Sequence, residues 1–315
     1  MKAPLPAVMF LCGLFSAVNS SFAQTWTPNS APITNLLAIA SSADGSKLAV
    51  GVYGGGIYTS TNSAATWLLT RAPSTNWTAI ASSADGSRLV AASYTGGIYT
   101  STDSGATWVL SATNVPGQYW FLVASSSDGS KLAAVDFFSI HTSTDSGATW
   151  TSNRLSNQKW NSIVSSADGT KLAVMASGVI YASTNSGTIW KLMTNAPKAN
   201  WSSLASSADG SKLVAVVYHG GIYTSTNLGT TWVFTSAPTN YWSSVASSSD
   251  GSKLVAVIEN GGIYTSTNFG TTWAPTSAPT NFWYLAASSA DGNKLVATID
   301  GGGIYTSYRP HQLHS

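Results

Sequence analysis

Three acidic residues stand outside the repeated turns of this 315-residue sequence and could do chemistry: Asp136, Glu259 and Asp300. Each lies at an equivalent place in an internal repeat, just before a turn. Two carboxyl groups about 5 Å apart can hydrolyse a glycosidic bond with retention of configuration, and a pair about 6.5–9.5 Å apart does so with inversion. A glycan hydrolase that uses these carboxylates is therefore the alternative hypothesis for function. The histidines lack metal-ligand spacing, and we predict neither a metal nor a cofactor.

The turns that begin at these equivalent positions differ from copy to copy and carry aromatic and hydrogen-bonding side chains. Constant positions build a scaffold, whereas diverging loops can take on recognition. Aromatic rings beside polar groups suit a sugar, which offers apolar C–H faces and hydroxyls together. The alternative is that these turns vary without a function. The candidate ligand-binding residues here are Tyr53, Tyr94, Phe137, Phe138, Tyr218, His219 and Asn260.

Six tryptophans form a second set of candidate ligand contacts, because a ring of Trp and Asn side chains could make repeated glycan sites. The matching position in the first copy is Leu36, which suits an apolar packing slot better than a stacking platform. We favour packing between neighbouring units and keep ligand stacking open, since Trp is amphipathic. The series consists of Trp77, Trp120, Trp160, Trp201, Trp242 and Trp283.

A repeat of about 41 residues must position all of these side chains. Seven further tryptophans recur at spacings of 40 to 42 residues: Trp26, Trp67, Trp108, Trp150, Trp190, Trp232 and Trp273. Equal periods of this length indicate a solenoid, a propeller or an array. The copy from Trp77 to Trp108 contains four short runs of β-branched and aromatic residues separated by Gly-rich turns, which predicts four strands.

Four strands per unit predict one propeller blade. Because the unit occurs seven times, the predicted fold class is all-β, a seven-bladed β-propeller of four-stranded antiparallel blades. Trp26 precedes the first complete unit, whereas the last unit ends at Ser307 without its tryptophan. We expect the N-terminal strand with Trp26 to complete the last blade, because closure removes exposed sheet edges. The predicted propeller spans residues 24–308, and 309–315 form a short tail.

Six of the tryptophans close an eight-residue phrase, Ser-x-Asp-x-Gly-x-Thr-Trp. It resembles the Asp-box of bacterial neuraminidase-type (BNR), sialidase-like propellers, and that resemblance places it between the third and fourth strands of a blade. Asp and Asn can cap backbone N–H groups equally, whereas a metal ligand or general acid could not be an amide in four of six copies. We therefore predict a structural role for the box residues Asn62, Asp103, Asp145, Asn185, Asn227 and Asn268.

The resemblance implies a fold more than a function, since such boxes occur in sialidases, other glycan hydrolases and non-catalytic propellers. Sialidase chemistry needs an arginine triad and a tyrosine nucleophile backed by glutamate. This chain has four arginines, of which Arg88 belongs to a repeated turn, and Glu259 is its single glutamate. The Phe-Arg-Ile-Pro signature is also missing. These departures argue against sialidase activity.

Residues 1–23 predict a secretory signal peptide, with Lys2, an apolar run and small residues before a cleavage site after Ala23. Cys12 lies inside this segment, so the mature chain would contain no cysteine. No later apolar run reaches the roughly 18 residues of a membrane helix. We expect a secreted or periplasmic protein without membrane insertion.

Charge and composition limit the partners. Only 8% of the residues are charged and the formal net charge is +2, so neither a basic patch nor a nucleic-acid partner is expected. We expect a monomer. The sequence therefore predicts an exported, non-catalytic propeller that acts as a binding or scaffold module for a glycan or a cell-surface protein.

Overall fold

The computed structural model describes residues 24–29, 31, 33–111, 119–155, 159–176 and 178–309. The predicted signal peptide with Cys12, and residues 310–315 of the predicted tail, lie outside these ranges. Every regular element in these ranges is a β-strand, and no helix there is long and apolar enough to cross a membrane. The all-β prediction is confirmed.

The described ranges contain 28 strands: β1 (Trp26–Asn29), then six groups of four strands and a final group of three. The first two groups are β2 (Leu36–Ser41), β3 (Leu48–Val52), β4 (Ile57–Ser60), β5 (Leu68–Leu69), and β6 (Trp77–Ser82), β7 (Leu89–Ser93), β8 (Gly97–Ser101), β9 (Val109–Leu110). The next two are β10 (Leu122–Ser125), β11 (Leu132–Val135), β12 (Ser139–Ser143), β13 (Thr151–Arg154), and β14 (Trp160–Ser165), β15 (Leu172–Ala176), β16 (Val179–Ser183), β17 (Lys191–Leu192). Then come β18 (Trp201–Ser206), β19 (Leu213–Gly220), β20 (Ile222–Ser225), β21 (Val233–Phe234), and β22 (Asn240–Ser247), β23 (Leu254–Ile258), β24 (Ile263–Ser266), β25 (Ala274–Pro275). The chain ends with β26 (Trp283–Ser288), β27 (Lys294–Ile299) and β28 (Ile304–Tyr308).

Consecutive strands pair antiparallel and form five four-stranded sheets and one eight-stranded sheet in the described residues. The eight-stranded sheet consists of β18–β21 and β22–β25, joined by a short pairing of β19 with β22. The first strand departs from chain order, because β1 pairs with β28 in the sheet β1-β28-β27-β26 and places Trp26 opposite Ser307. The N-terminal strand therefore completes the last sheet, as the sequence predicted.

Burial decreases from the inner strands of each group to the outermost strand. The second strand is a continuous apolar run buried on both faces, such as β23, because neighbouring sheets cover both sides. In most groups the innermost strand begins with a register shift, as between Trp77 and Ala79, which indicates a β-bulge. The outermost strand is two exposed residues in most groups, such as Leu68–Leu69.

The hydrophobic core is divided among the interfaces between neighbouring sheets. Ala38 and Ile57 of the first sheet pack against Trp77 of the second in one buried cluster. Leu36 of the first sheet shares another cluster with Val296 of the last. The first and last sheets therefore pack as neighbours; their contact is called the closing interface below.

A cycle of seven backbone hydrogen bonds joins the Asp-Gly turns. In each turn, the residue before the Asp donates its N–H to the carbonyl of the equivalent residue in the next turn, at 2.6–2.7 Å. The order is Ala43, Ala84, Ser127, Ala167, Ala208, Ser249, Ala290 and back to Ala43. Because the last bond returns to the first turn, the sheets are arranged in a closed ring.

Candidate functional site

The constant and the varying parts of the repeat lie at opposite ends of the strands. On one end, here called the box face, the boxes bond to the Asp-Gly turns, as in the 2.8 Å bond from Ser104 N to Ser87 O. On the other, the variable face, the turns after each second strand bond to the segments that precede the innermost strands. Tyr94 N donates to Asn76 O at 2.9 Å, for example. A ligand site built from sequence differences therefore belongs to the variable face.

The boxes are closed internally by hydrogen bonds. Ser101 Oγ donates to Asp103 Oδ1 at 2.8 Å, and this oxygen also accepts the Thr107 N–H at 2.8 Å. Asn227 Oδ1 accepts from Thr231 N–H at 2.9 Å in the same way. Since these shared bonds need only an acceptor oxygen, Asp and Asn serve equally. The same acceptor role recurs at all six box positions: Asn62, Asp103, Asp145, Asn185, Asn227 and Asn268.

The second tryptophan series is buried between sheets. Its members are at most 6% exposed, so their ring faces are covered. Trp77 packs edge-on against Tyr99 at 5.3 Å between ring centroids, and Trp242 Nε1 donates to Pro238 O at 3.1 Å. This burial supports the packing role predicted for Trp77, Trp120, Trp160, Trp201, Trp242 and Trp283.

Asp136 is engaged within its own turn. This carboxylate is 7% exposed, and its Oδ1 accepts from the N–H groups of Phe138 and Ser139, each at 2.7 Å. Its Oδ2 lies 3.0 Å from Nε2 of the buried His141, whose Nδ1 bonds to Ser152 Oγ at 2.7 Å. Burial alone would raise the pKa of Asp136, but the bonds from His141 and the backbone hold it below its ordinary value of 3.8. These bonds favour a structural role for Asp136 over the hydrolase alternative.

Glu259 and Asp300 are exposed and line a depression of about 680 Å³ at the centre of the ring, together with innermost-strand residues of every group. The Tyr218 hydroxyl bonds to Glu259, and this bond raises the pKa of Tyr218 above 10.0. Partial burial, followed by the charge of Asp300, raises the pKa of Tyr284. The depression therefore offers carboxylates and phenols to a positively charged or donor-rich group. Across the described ranges, no three His, Cys, Asp or Glu side chains come together to hold a metal ion.

Five aromatic rings form a continuous cluster on the variable face, here called the aromatic patch: Tyr94, Tyr119, Phe121, Phe137 and Phe138. Phe121 contacts Phe137 at 4.4 Å and Tyr94 at 5.5 Å, and Tyr94 contacts Tyr119 at 4.8 Å between ring centroids. Phe138 is 51% exposed and Tyr119 is 38% exposed. The patch spans the second and third groups of strands, and Phe121 also lines the depression.

A second aromatic cluster joins the fifth and sixth groups. Tyr218 and His219 contact Tyr241, at 5.6 and 3.9 Å between ring centroids. Two other candidates are also exposed: Tyr53 in the turn of the first group and Asn260 in the turn of the sixth group.

Sequence reasoning missed Tyr119, Phe121 and Tyr241, each next to a tryptophan of the second series. The aromatic run Tyr119-Trp120-Phe121 and the pair Tyr241-Trp242 were the available signals.

Sheets around a closed ring with a central depression define a β-propeller. The chain is similar in structure to YCF48 from Cyanidioschyzon merolae, with a TM-score of 0.72 and 15% identity over 91% of this chain and 99% of that chain. It is also similar to YCF48 bound to D1 peptide, with a TM-score of 0.69 and 12% identity over 90% and 97% of the two chains. No family model and no curated protein matches the sequence. These likenesses establish the propeller fold, and the Asp-box family stays a resemblance.

Proposed function

We propose that this chain is a seven-bladed propeller of the Asp-box type that serves as an exported scaffold and binds a protein segment on its variable face. The seven bonded Asp-Gly turns and the groups of four strands support this blade count, with β18–β21 and β22–β25 as separate blades. Export is supported by the predicted signal peptide. The occupied Asp136 carboxylate supports binding without catalysis.

The aromatic patch is the observation that carries this proposal. Exposed apolar surface of this kind marks interaction sites, and aromatic side chains supply much of the binding energy of protein interfaces. The depression beside the patch adds Glu259 and Asp300 on the same face. The expected partner segment therefore places an aromatic or aliphatic side chain on the patch and a Lys or Arg in the depression.

A protein partner has better support than a glycan. The tryptophans that could have formed repeated sugar sites are buried. A solved structure with the same fold, YCF48, is bound to D1 peptide. No comparison supports glycan binding, so the peptide is the first partner to test.

A phage library of short random peptides, selected on this protein, should yield binders rich in aromatic residues and in Lys or Arg. The double variant Phe137→Ser/Phe138→Ser should weaken the selected peptides about tenfold or more, because it removes exposed anchor rings. Glu259→Gln/Asp300→Asn should weaken the basic peptides selectively. Isothermal titration calorimetry measures both effects.

Leu68→Ser/Leu69→Ser is the matched control, since it removes exposed apolar side chains from outer strand β5. It should leave the affinity unchanged. Peptides that bind all variants equally would contradict the proposed site. Saturable binding on a glycan array, lost in the Phe137/Phe138 variant and unaccompanied by peptide binders, would assign the face to sugars instead.

A further inference from the structure

A cavity of about 470 Å³ lies at the closing interface, toward the box face. Leu295 and Ser307 of the last sheet form one wall, and Leu48 and Ser63 of the first sheet form another. Thr27 of β1 also lines it. None of the residues named above as candidates lies in this cavity, so it is separate from the variable face.

Three equivalent interfaces elsewhere in the ring are nearly closed. Between the first and second sheets, the corresponding residues Leu48, Ser60, Leu89 and Ser104 leave only about 10 Å³. Two further interfaces also leave about 10 Å³ each. The sequence explains the difference, because Ser60 begins a box, whereas Arg309 occupies the box position that follows Ser307. The last copy of the repeat keeps the serine and lacks the box.

Ser307 is left without the bonds that its equivalents make. In the six complete boxes, this serine hydroxyl donates to the Asp or Asn Oδ1 at 2.8–3.0 Å. It also accepts a backbone N–H at 2.9–3.0 Å. Ser307 is 4% exposed, and its Oγ has no hydrogen-bond partner within the described chain. Buried polar groups nearly always have a hydrogen-bond partner. A ligand that supplies an acceptor oxygen and an N–H would therefore satisfy this hydroxyl.

Lys294 adds a positive charge at the same cavity. Its Nζ lies 3.4 Å from Ser63 Oγ, as Nζ of the equivalent Lys47 lies 3.5 Å from Ser104 Oγ, and its charge also acts on Asp44. None of the described residues that line the cavity is acidic. A carboxylate therefore fits this site better than a neutral amide.

The tryptophan of the absent box is already replaced. Trp26 of β1 is buried beside Trp283 in the last sheet, with 6.3 Å between ring centroids. The site therefore lacks the turn of a box and not its aromatic residue. We propose that the cavity binds an Asp-containing turn of a partner protein, which supplies in trans the box turn missing from the last sheet.

The hexapeptide Thr-Asp-Ser-Gly-Ala-Thr, the turn at residues 102–107 of this chain, is the probe. Fluorescence polarisation of the labelled peptide with the full chain should show saturable binding at one site. Ser307→Ala should lower the affinity for the peptide about tenfold or more, because the hydrogen bond from the hydroxyl to a carboxylate is lost. Replacing the peptide's Asp by Ala should weaken it similarly.

Ser101→Ala is the matched control. It breaks the bonds to Asp103 and Gly105, so it should lower the melting temperature and leave the peptide's affinity unchanged. Ser307→Ala should instead leave the melting temperature unchanged and lower the peptide's affinity, since no internal hydrogen bond is removed. The proposal is overturned by absent binding, by equal binding to Ser307→Ala, or by displacement with an equal concentration of free aspartate. Peptides selected for the aromatic patch should be insensitive to Ser307→Ala, so the two proposals fail separately.

Discussion

At the residue scale, Asp136 satisfies three groups that would otherwise be poorly paired: His141 and the N–H groups of Phe138 and Ser139. We expect Asp136→Ala to lower the free energy of unfolding by about 3 kcal/mol, because removing one partner leaves buried polar groups unsatisfied. Glu259→Ala should have little effect on stability, since Glu259 is exposed. Urea denaturation measures both. Equal stability of the two variants would show that Asp136 is not structural.

The box residues and Asp136 differ in how far the sequence could predict them. Box roles were readable because Asp and Asn alternate at a repeated position and bond within four residues along the chain. The role of Asp136 depends on His141 across a turn that occurs once, so no repetition revealed it. Tyr119 and Tyr241 were missed because their ring contacts, with Phe137 and Tyr218, join segments that are not adjacent in sequence.

At the scale of elements, the Asp-Gly turns make stability depend on pH. Hydrogen bonds from Ser42 and Ser46 hold the pKa of Asp44 at about 2, below its ordinary value of 3.8, and Asp128, Asp168 and Asp250 behave alike. A lowered pKa in the folded state contributes stability above the unfolded-state pKa, and that stability is lost as pH falls through the folded-state value. The melting temperature should therefore fall between about pH 3.8 and about pH 2.

Calorimetry at stepped pH tests this expectation. Asp44→Asn removes one titrating carboxyl, so this variant should lose less stability on acidification than the unmodified chain. A melting temperature that stays constant down to about pH 2 would mean that these turns do not contribute in this way.

Strands and turns were the most predictable level, because Asp-Gly turns and β-branched runs repeat with one period. The pairing of β19 with β22, which joins two groups into one sheet, was not predicted. That pairing follows from the extension of β19 to Gly220 and from β22 beginning at Asn240, and these details belong to one copy of the repeat.

At the scale of the whole molecule, ring closure depends on β1. Deleting residues 24–29 removes the strand that pairs with β28 and the buried Trp26. A buried Trp contributes about 3–5 kcal/mol, so we expect the melting temperature to fall by about 10 °C or more. Thermal unfolding followed by circular dichroism measures the change, with Leu68→Ser/Leu69→Ser as the control. An unchanged melt would refute closure by this strand.

Closure was predictable because the two incomplete copies, at Trp26 and at Ser307, complement each other. The cavity at the same interface was not predictable. Its volume depends on how the residues around the position of the missing turn pack, and the composition of the sequence does not determine that packing.

The cycle of bonded turns also constrains how the sequence of this protein can evolve. Each turn bonds to both neighbours, so adding or deleting one repeat would alter the angle between every pair of sheets. Replacing a turn on the variable face alters none of these bonds. New specificity can therefore arise by substitution within a single repeat while the number of repeats stays fixed.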